Sequence, residues 1–320
     1  MLTYFAIYAQ NTVRILVTVY QEEFMKTLVT LAALMLLLTA CSNETEIIAN
    51  PKVSDSNIES TPAVSAKASV SLEDVINHER RSENSARDQW RHPLETLSFF
   101  GIESDMTVAE VLPGVSGWYT QILTPLTSQA GRMIGVTYPE TLWRQIISTW
   151  NEESKEKFGA NIDNMAQYLS VTDVESVQPI TGYAIDNIPV TENNKADAVL
   201  FFRALHHLFR FDEPLIDTAL SEVHDLLAPG GVAGVVQHRA PEDAEPGFAS
   251  GNNGYLKQSD VVAAFQRAGF ILEETSEINA NPNDPADKLV WRLPPTTRDN
   301  PDTQAIGESD RMTLRFRKPG

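Results

Sequence analysis

From residue 107 to residue 316 the sequence keeps returning to short apolar runs separated by amphipathic stretches, and that alternation restricts the fold more than any other feature. Ala198-Val199-Leu200-Phe201-Phe202 is apolar throughout, the pattern of a strand buried on both faces. Comparable runs predict strands over residues 107–112, 131–136, 177–180, 232–237 and 270–274. At the end of the chain Met312, Leu314 and Phe316 alternate with Thr313 and Arg315, predicting a half-exposed seventh strand. Between these runs lie helical spacings over residues 118–126, 142–158, 215–227 and 259–268. The second carries apolar positions at Leu142, Ile146, Ile147 and Trp150, and the third is stopped by Ala228-Pro229-Gly230-Gly231. Ahead of the first strand, Ser71-Leu72-Glu73-Asp74 reads as a helix cap. A highly charged helix through Arg80, Arg81, Glu83, Arg87 and Asp88 is expected to follow, and then apolar anchors at Trp90, Pro93, Leu94, Leu97, Phe99 and Phe100. Strand and helix in strict alternation predict an α/β domain over residues 71–320 with a mostly parallel sheet. In such sheets ligands bind beyond the carboxyl ends of the strands, so the residues just after each strand are the ones to inspect.

Charge narrows the partners. Among 320 residues, 25 Lys and Arg face 43 Asp and Glu, a formal charge of −18. Such a surface repels a phosphate backbone and argues against nucleic acid. There is one cysteine, Cys41, so an internal disulfide is excluded. The six histidines show no paired spacing of the kind that holds a metal, and no metal is expected.

The surroundings of Cys41 give it a role. Met25-Lys26 precedes an apolar run over residues 28–38, which ends in Leu38-Thr39-Ala40-Cys41. The run is too short to span a bilayer of roughly 30 Å, whereas a positive start, a short apolar core and small residues before the cut describe a secretory signal. The last four residues resemble the lipobox of bacterial lipoproteins. That resemblance implies cleavage before Cys41, lipidation of its thiol, and anchorage to a membrane of the cell envelope. Ser42 in place of the aspartate of inner-membrane lipoproteins favours a periplasm-facing position at the outer membrane, in an organism that has one. The alternative is a buried amphipathic helix ending in a chance cysteine. Glu22 and Glu23 stand where a positive segment belongs, so residues 1–24 read as an over-extended start, with Met25 as the true one; the other reading makes residues 4–20 part of a membrane segment interrupted by Gln10, Asn11 and Arg14. Residues 25–40 are then the signal, and residues 41–70, rich in Ser, Asn, Thr, Ala, Glu and Pro, a disordered tether of roughly 30 Å mean reach. Removing residues 1–40 takes away Glu22, Glu23, Arg14 and Lys26, which leaves the acidity unchanged.

Within the domain, the first strand runs into Glu110-Val-Leu-Pro-Gly114-Val-Ser-Gly117-Trp-Tyr-Thr. Glycines there allow close backbone approach, and the following helix N-terminus favours an anion, although a plain tight turn has the same look. Further on come Asp197-Ala-Val-Leu-Phe-Phe-Arg-Ala-Leu-His206-His207, then Leu-Ala-Pro-Gly-Gly, Gly-Val-Ala-Gly-Val-Val and Phe-Gln-Arg-Ala-Gly-Phe. In that order the segments resemble the class I S-adenosylmethionine-dependent methyltransferases across nearly all of residues 71–320. Arg87-Asp88-Gln-Trp-Arg91-His92-Pro93, Phe99-Phe100-Gly101-Ile102 and Gly117-Trp-Tyr-Thr resemble a subgroup of exported bacterial members. The resemblance implies a Rossmann-like sheet of seven strands, mostly parallel, with helices on both faces and the last strand antiparallel.

It also implies S-adenosyl-L-methionine as cofactor, with Glu110, Gly114 and Gly117 around its methionine part and Thr137 and Tyr138 at the ribose. Tyr183 and Asp186 would stand near the adenine. The chain departs from the family at the end of its second strand, which lacks the usual ribose-binding acid, with Glu140 the nearest substitute, and in the looser Pro-Gly-Val-Ser-Gly turn. Arg203, His206, His207, His238 and Arg239 follow strands four and five, where the family rims its methyl-transfer pocket. His238 and His206 are candidate general bases with Arg203 beside them, while His207 also fits a packing role and Arg239 either an anion site or an ion pair. The Asn-, Asp- and Pro-rich stretch 279–310 is placed to cover an acceptor, which would be a small molecule or an envelope component. Two other readings stand beside this one: a binding or accessory lipoprotein without turnover, and a nicotinamide-dependent oxidoreductase on a similar sheet, which the Pro-Gly-Gly and His-His segments disfavour.

Overall fold

The computed structural model describes residues 70–114, 117–148, 150–153, 180–211, 215–297 and 300–320. The expected signal, Cys41 and all but the last residue of the tether lie outside them. Strand β1, Thr107–Val111, lies inside the sheet with both faces buried, by Val108 and Glu110 on one side and Ala109 and Val111 on the other. It pairs in parallel with β2, Arg132–Thr137, on one side and with β4, Ala196–Phe202, on the other. β3, Thr181–Ala184, extends the sheet beyond β2, and β5, Leu227–Ala240, lies beside β4, all parallel. The strand order is β3-β2-β1-β4-β5-β8-β7, with β8, Arg311–Arg317, antiparallel to both β5 and β7, Ile271–Ser276. A two-residue strand, β6 (Leu256–Lys257), joins the far end of β5, so eight strands form where seven were expected. Chain order reverses between β1 and β4, and a crevice opens there beyond their carboxyl ends.

Helices cover both faces. They are α1 (Leu72–Ile76), α2 (Asp88–Arg91), α3 (Pro93–Phe100), α4 (Thr120–Thr127), α5 (Glu140–Ser148), α6 (His206–Phe209), α7 (Ile216–Leu226), α8 (Gln258–Arg267) and α9 (Pro301–Gln304). Successive strand residues point to opposite faces. Val108 therefore joins the core made with Val75, Leu97, Phe100, Ile122 and Leu126 of α1, α3 and α4. Ala109 joins the other, made with Leu142, Ile146, Leu220, Val223 and Phe265 of α5, α7 and α8. Among the described residues no helix is long and apolar enough to cross a membrane.

Three local expectations are corrected. The charged helix ahead of β1 ends at Ile76, although Ser71 does cap it by accepting from the Asp74 N–H at 3.1 Å. The chain continues as short 3-10 turns at Glu79–Arg81 and Ser85–Arg87, the first begun by the His78 ring accepting from the Arg80 N–H. β8 is not half-exposed. Its polar face is covered by α3 and by the stretch after β7: Arg315 donates to the Phe99 carbonyl, and Asn279 donates to the hydroxyls of Thr313 and Thr96. The third strand lies at Thr181–Ala184; residues 177–179 of the expected one fall outside the described residues, as does the end of the expected 142–158 helix.

Candidate functional site

The chain turns sharply after both β1 and β4. Leu112, φ 58°, and Arg203, φ 59°, both adopt left-handed backbone immediately past the strand ends, a conformation that costs a non-glycine residue on the order of 1 kcal/mol. Each is held there by a backbone bond to the neighbouring strand: Leu112 donates to Val136 at 2.7 Å, and Arg203 to Val236 at 2.6 Å. Gly114, φ 72°, completes the first turn with open space around its Cα. Between the two turns lies a cavity of about 280 Å³.

One wall is aromatic. Trp118 and Tyr119 enter α4, and the Tyr119 ring stacks on Phe202 at the end of β4, centroids 3.5 Å apart. Trp291 and the Pro294-Pro295 pair, from the stretch between β7 and β8, close the opposite side. The polar groups are Glu110, Arg91, Arg203, Glu308, Ser309 and three histidines.

Glu110 is 2% exposed, and burial pushes its carboxyl up to about 7 against the opposing pull of the Thr120 hydroxyl, which donates to it at 2.6 Å. Arg91 ends α2, where His92 turns left-handed and Pro93 begins α3. Its guanidinium is 1% exposed and lies over the Trp118 ring at 4.4 Å. None of its three nitrogens makes a hydrogen bond, and its nearest acid, Glu308, is 3.6 Å away. Glu308 is already engaged by Arg87 at 2.6 Å and Arg311 at 3.2 Å, and the surrounding arginines hold its carboxyl down to about 2 despite burial. Arg203 makes no side-chain hydrogen bond or ion pair with any described residue; burial lowers its guanidinium to about 10.

Burial disfavours the charged form of the three cavity histidines. Burial lowers His206 to about 3, and burial together with the adjacent His206 ring drives His207 down as well. His238, 8% exposed, falls well below its ordinary value through burial and through His206 and Arg203 beside it. Its Nδ1 meets the Ser309 hydroxyl at 2.5 Å. The Gln237 amide bonds the Leu205 N–H with its oxygen and the Gly254 carbonyl with its nitrogen, so that nitrogen donates at 3.5 Å to His206 Nδ1. The His206 proton then sits on Nε2, which is buried without a partner. The ring is thus a donor, not a base. Among the described residues no group of His, Cys, Asp or Glu is arranged to hold a metal.

Glu110, Gly114, Arg203, His206 and His238 thus share one cavity, and Gly117 closes its turn by donating to the Gly114 carbonyl at 3.1 Å. His207 lines it too, and the remaining sequence candidates stand elsewhere. The Thr137 hydroxyl accepts from Trp143 at 3.0 Å, and Tyr138, 1% exposed, donates to the Ala204 carbonyl. Tyr183 donates to Glu192 at 3.0 Å, which Arg132 also engages; Asp186 is exposed, and Glu140 pairs on the surface with Arg144. Arg239 is an ion-pair residue, bidentate to Glu277 and bound to Asp310. The site residues that sequence reasoning did not single out are Arg91, Trp118, Tyr119, Trp291 and Glu308. For the first three a signal existed, since they fall in the motifs that carry the family resemblance; nothing in the local sequence marks Glu308.

No protein-family model matches the sequence, and no curated protein matches it. Similar solved structures include an S-adenosylmethionine-dependent methyltransferase from Aquifex aeolicus, 15% identical, covering 78% of this chain and 99% of that one with a TM-score of 0.43. Another is an S-adenosylmethionine-dependent methyltransferase from Mesorhizobium loti, 13% identical, covering 73% and 99%, TM-score 0.40. The 4+2 cyclase SpnF is 14% identical, covering 72% and 80%, TM-score 0.41. The fold itself rests on strand order and pairing: a Rossmann-like α/β sheet, parallel except for β8, with helices on both faces.

Proposed function

We propose that the chain is an S-adenosyl-L-methionine-dependent methyltransferase, exported and lipid-anchored at Cys41, that acts on a small molecule or an envelope component. The observation that carries this reading is the cavity at the β1–β4 switch point, where an acid near the end of β1, an open glycine turn and post-β4 residues converge. The residues suit the amino-acid end of the cofactor. Glu110, with a carboxyl near 7, gains its charge when a cation arrives, and the backbone at Gly114 is open to close approach. The aromatic wall suits the sulfonium. At the adenosine end the fit is poor, because Thr137, Tyr138 and Tyr183 spend their hydroxyl bonds within the protein. When bound, the cofactor supplies a methyl group already activated on sulfur. The protein's part is then to align the acceptor and exclude water, not to remove a proton. The depressed histidines agree with that division, since a ring held near 3 is a weak base at neutral pH.

Titration calorimetry of the full chain with S-adenosylhomocysteine is the test, with NAD as the contrast. Heat with the first and none with the second is expected; silence at high micromolar S-adenosylhomocysteine would remove the reading. The engaged hydroxyls at β2 and β3 favour a second reading, a ligand-binding lipoprotein that retains the fold without turnover. Native mass spectrometry of freshly purified protein would then find a bound molecule other than this cofactor.

Anchorage is tested on its own terms. Wild-type protein expressed in a Gram-negative host is expected to carry a diacylglyceryl mass on Cys41 and to partition into detergent. Cys41→Ser should keep its signal and remain in the aqueous phase. A wild-type chain without lipid mass overturns the anchor and leaves the cavity chemistry untouched.

A further inference from the structure

We propose that Arg91 and Arg203 form a carboxylate-binding site in the cavity wall. Four guanidiniums, Arg87, Arg91, Arg203 and Arg311, surround one ionised acid, Glu308, and only Arg87 and Arg311 bond it well. Arg311 is further spent on the carbonyls of Trp90 and Ser309. What is left over is the Arg91 guanidinium, sealed from water with no hydrogen bond on any nitrogen and only a 3.6 Å approach to the already engaged Glu308, and the half-buried Arg203, which has no side-chain partner among the described residues. A buried charge left in that state is costly unless an anion completes it. Both groups line the same cavity, and the unpartnered His206 Nε2 adds a neutral donor to it.

The shape and charge of the surroundings select the anion. A flat guanidinium presents paired donors that match the two oxygens of a carboxylate. Glu308 and the half-ionised Glu110 repel a dianion, which disfavours free phosphate. Trp118, Tyr119 and Phe202 beside the arginines suit a carboxylate borne on an apolar or planar body. The surplus of positive charge here is local, since the chain as a whole carries −18.

Two sources of that carboxylate fit: the methyl acceptor, and the amino-acid end of the cofactor. Either use in methyl transfer rests on the function proposed above, whereas carboxylate binding itself does not. The test is Trp fluorescence titration of the full chain with benzoate and with benzamide, its neutral isostere. Benzoate is expected to bind at least tenfold tighter than benzamide, and Arg91→Gln to weaken it by about ten- to a hundredfold, the range for a lost charge-assisted contact. Arg203→Gln gives the same loss and keeps the test decisive where Arg91→Gln does not fold, because Arg203 holds no partner in the protein. Equal binding of the two probes, or benzoate binding unchanged in a folded variant, overturns the site. Repeating the titration with saturating S-adenosylhomocysteine assigns the source. Retained benzoate binding gives the carboxylate to the acceptor. Loss of it with S-adenosylhomocysteine, but not with methylthioadenosine, which has no carboxylate, gives it to the cofactor. Benzoate binding in a protein that ignores S-adenosylhomocysteine keeps the site and removes the methyltransferase reading.

Discussion

Glu110 is the residue whose protonation the site controls most closely. Its carboxyl is raised from 4.5 to about 7 by burial, so the folded protein holds a proton there that the unfolded chain has released. The sign follows: its contribution to stability is fully present below 4.5 and is lost as pH rises through 7, a span worth up to about 3 kcal/mol. Glu110→Gln removes that dependence. In thermal melts the variant should gain on wild type between pH 5 and pH 8, and an equal difference at both pH values would contradict the buried, protonated carboxyl. Residue by residue, the sequence was informative where chemistry sits just past a strand. His206, His238 and Arg203 stood out because they follow apolar runs, and all three line the cavity. What the local sequence does not reveal is whether a side chain is already occupied. Thr137, Tyr138 and Tyr183 occupy positions that look available in a linear reading, yet each spends its hydroxyl on a partner 6, 66 or 9 residues away. His206 reads as a base from its type, and only the Gln237 network turns it into a donor.

The elements that matter most to the site are the ones hardest to read. Strands β1, β2, β4 and β5 announce themselves as apolar runs because both faces are buried, and their helices by 3.6-residue spacing. The region before β1 does not, because its order comes from distant partners. Arg87 bonds Glu308 across 221 positions, and Tyr119 and Trp118 bond the carbonyls of Arg91 and Asn84. α2 is therefore fixed by α4 and by the segment leading into β8, not by its own four residues. The polar side of β8 looked solvent-facing in the sequence for the same reason: its cover, α3, lies more than two hundred residues upstream. Glu308 is the acid common to these contacts. Glu308→Ala leaves the buried Arg91 and Arg311 and the half-buried Arg87 without their shared acid, and should cost about 3–5 kcal/mol in urea denaturation, the range for breaking a buried pair. A loss below about 1 kcal/mol would mean the clasp contributes little. Because the Glu308 carboxyl is held near 2, its contribution is present above 4.5 and disappears as pH falls through 2.

At the scale of the whole molecule, a chain of net charge −18 holds a cavity in which arginines outnumber their shared acid, so the proposed site draws an anion into an acidic protein. Burial makes this workable, because charges inside a low-dielectric wall are screened far less than those on the surface. A proposed lipid anchor at Cys41 would hold this domain at an envelope surface, away from the cytoplasm in which the cofactor is made. That placement makes occupancy of the cavity the central question. Crystals of the full chain grown with S-adenosylhomocysteine answer it most directly. Density is expected for the homocysteine portion beyond the ends of β1 and β4, touching Glu110 and the turn at Gly114, with the thioether facing the Trp118–Tyr119 wall. A ligand bound anywhere else, or a cavity that stays empty at saturating concentration, would contradict it.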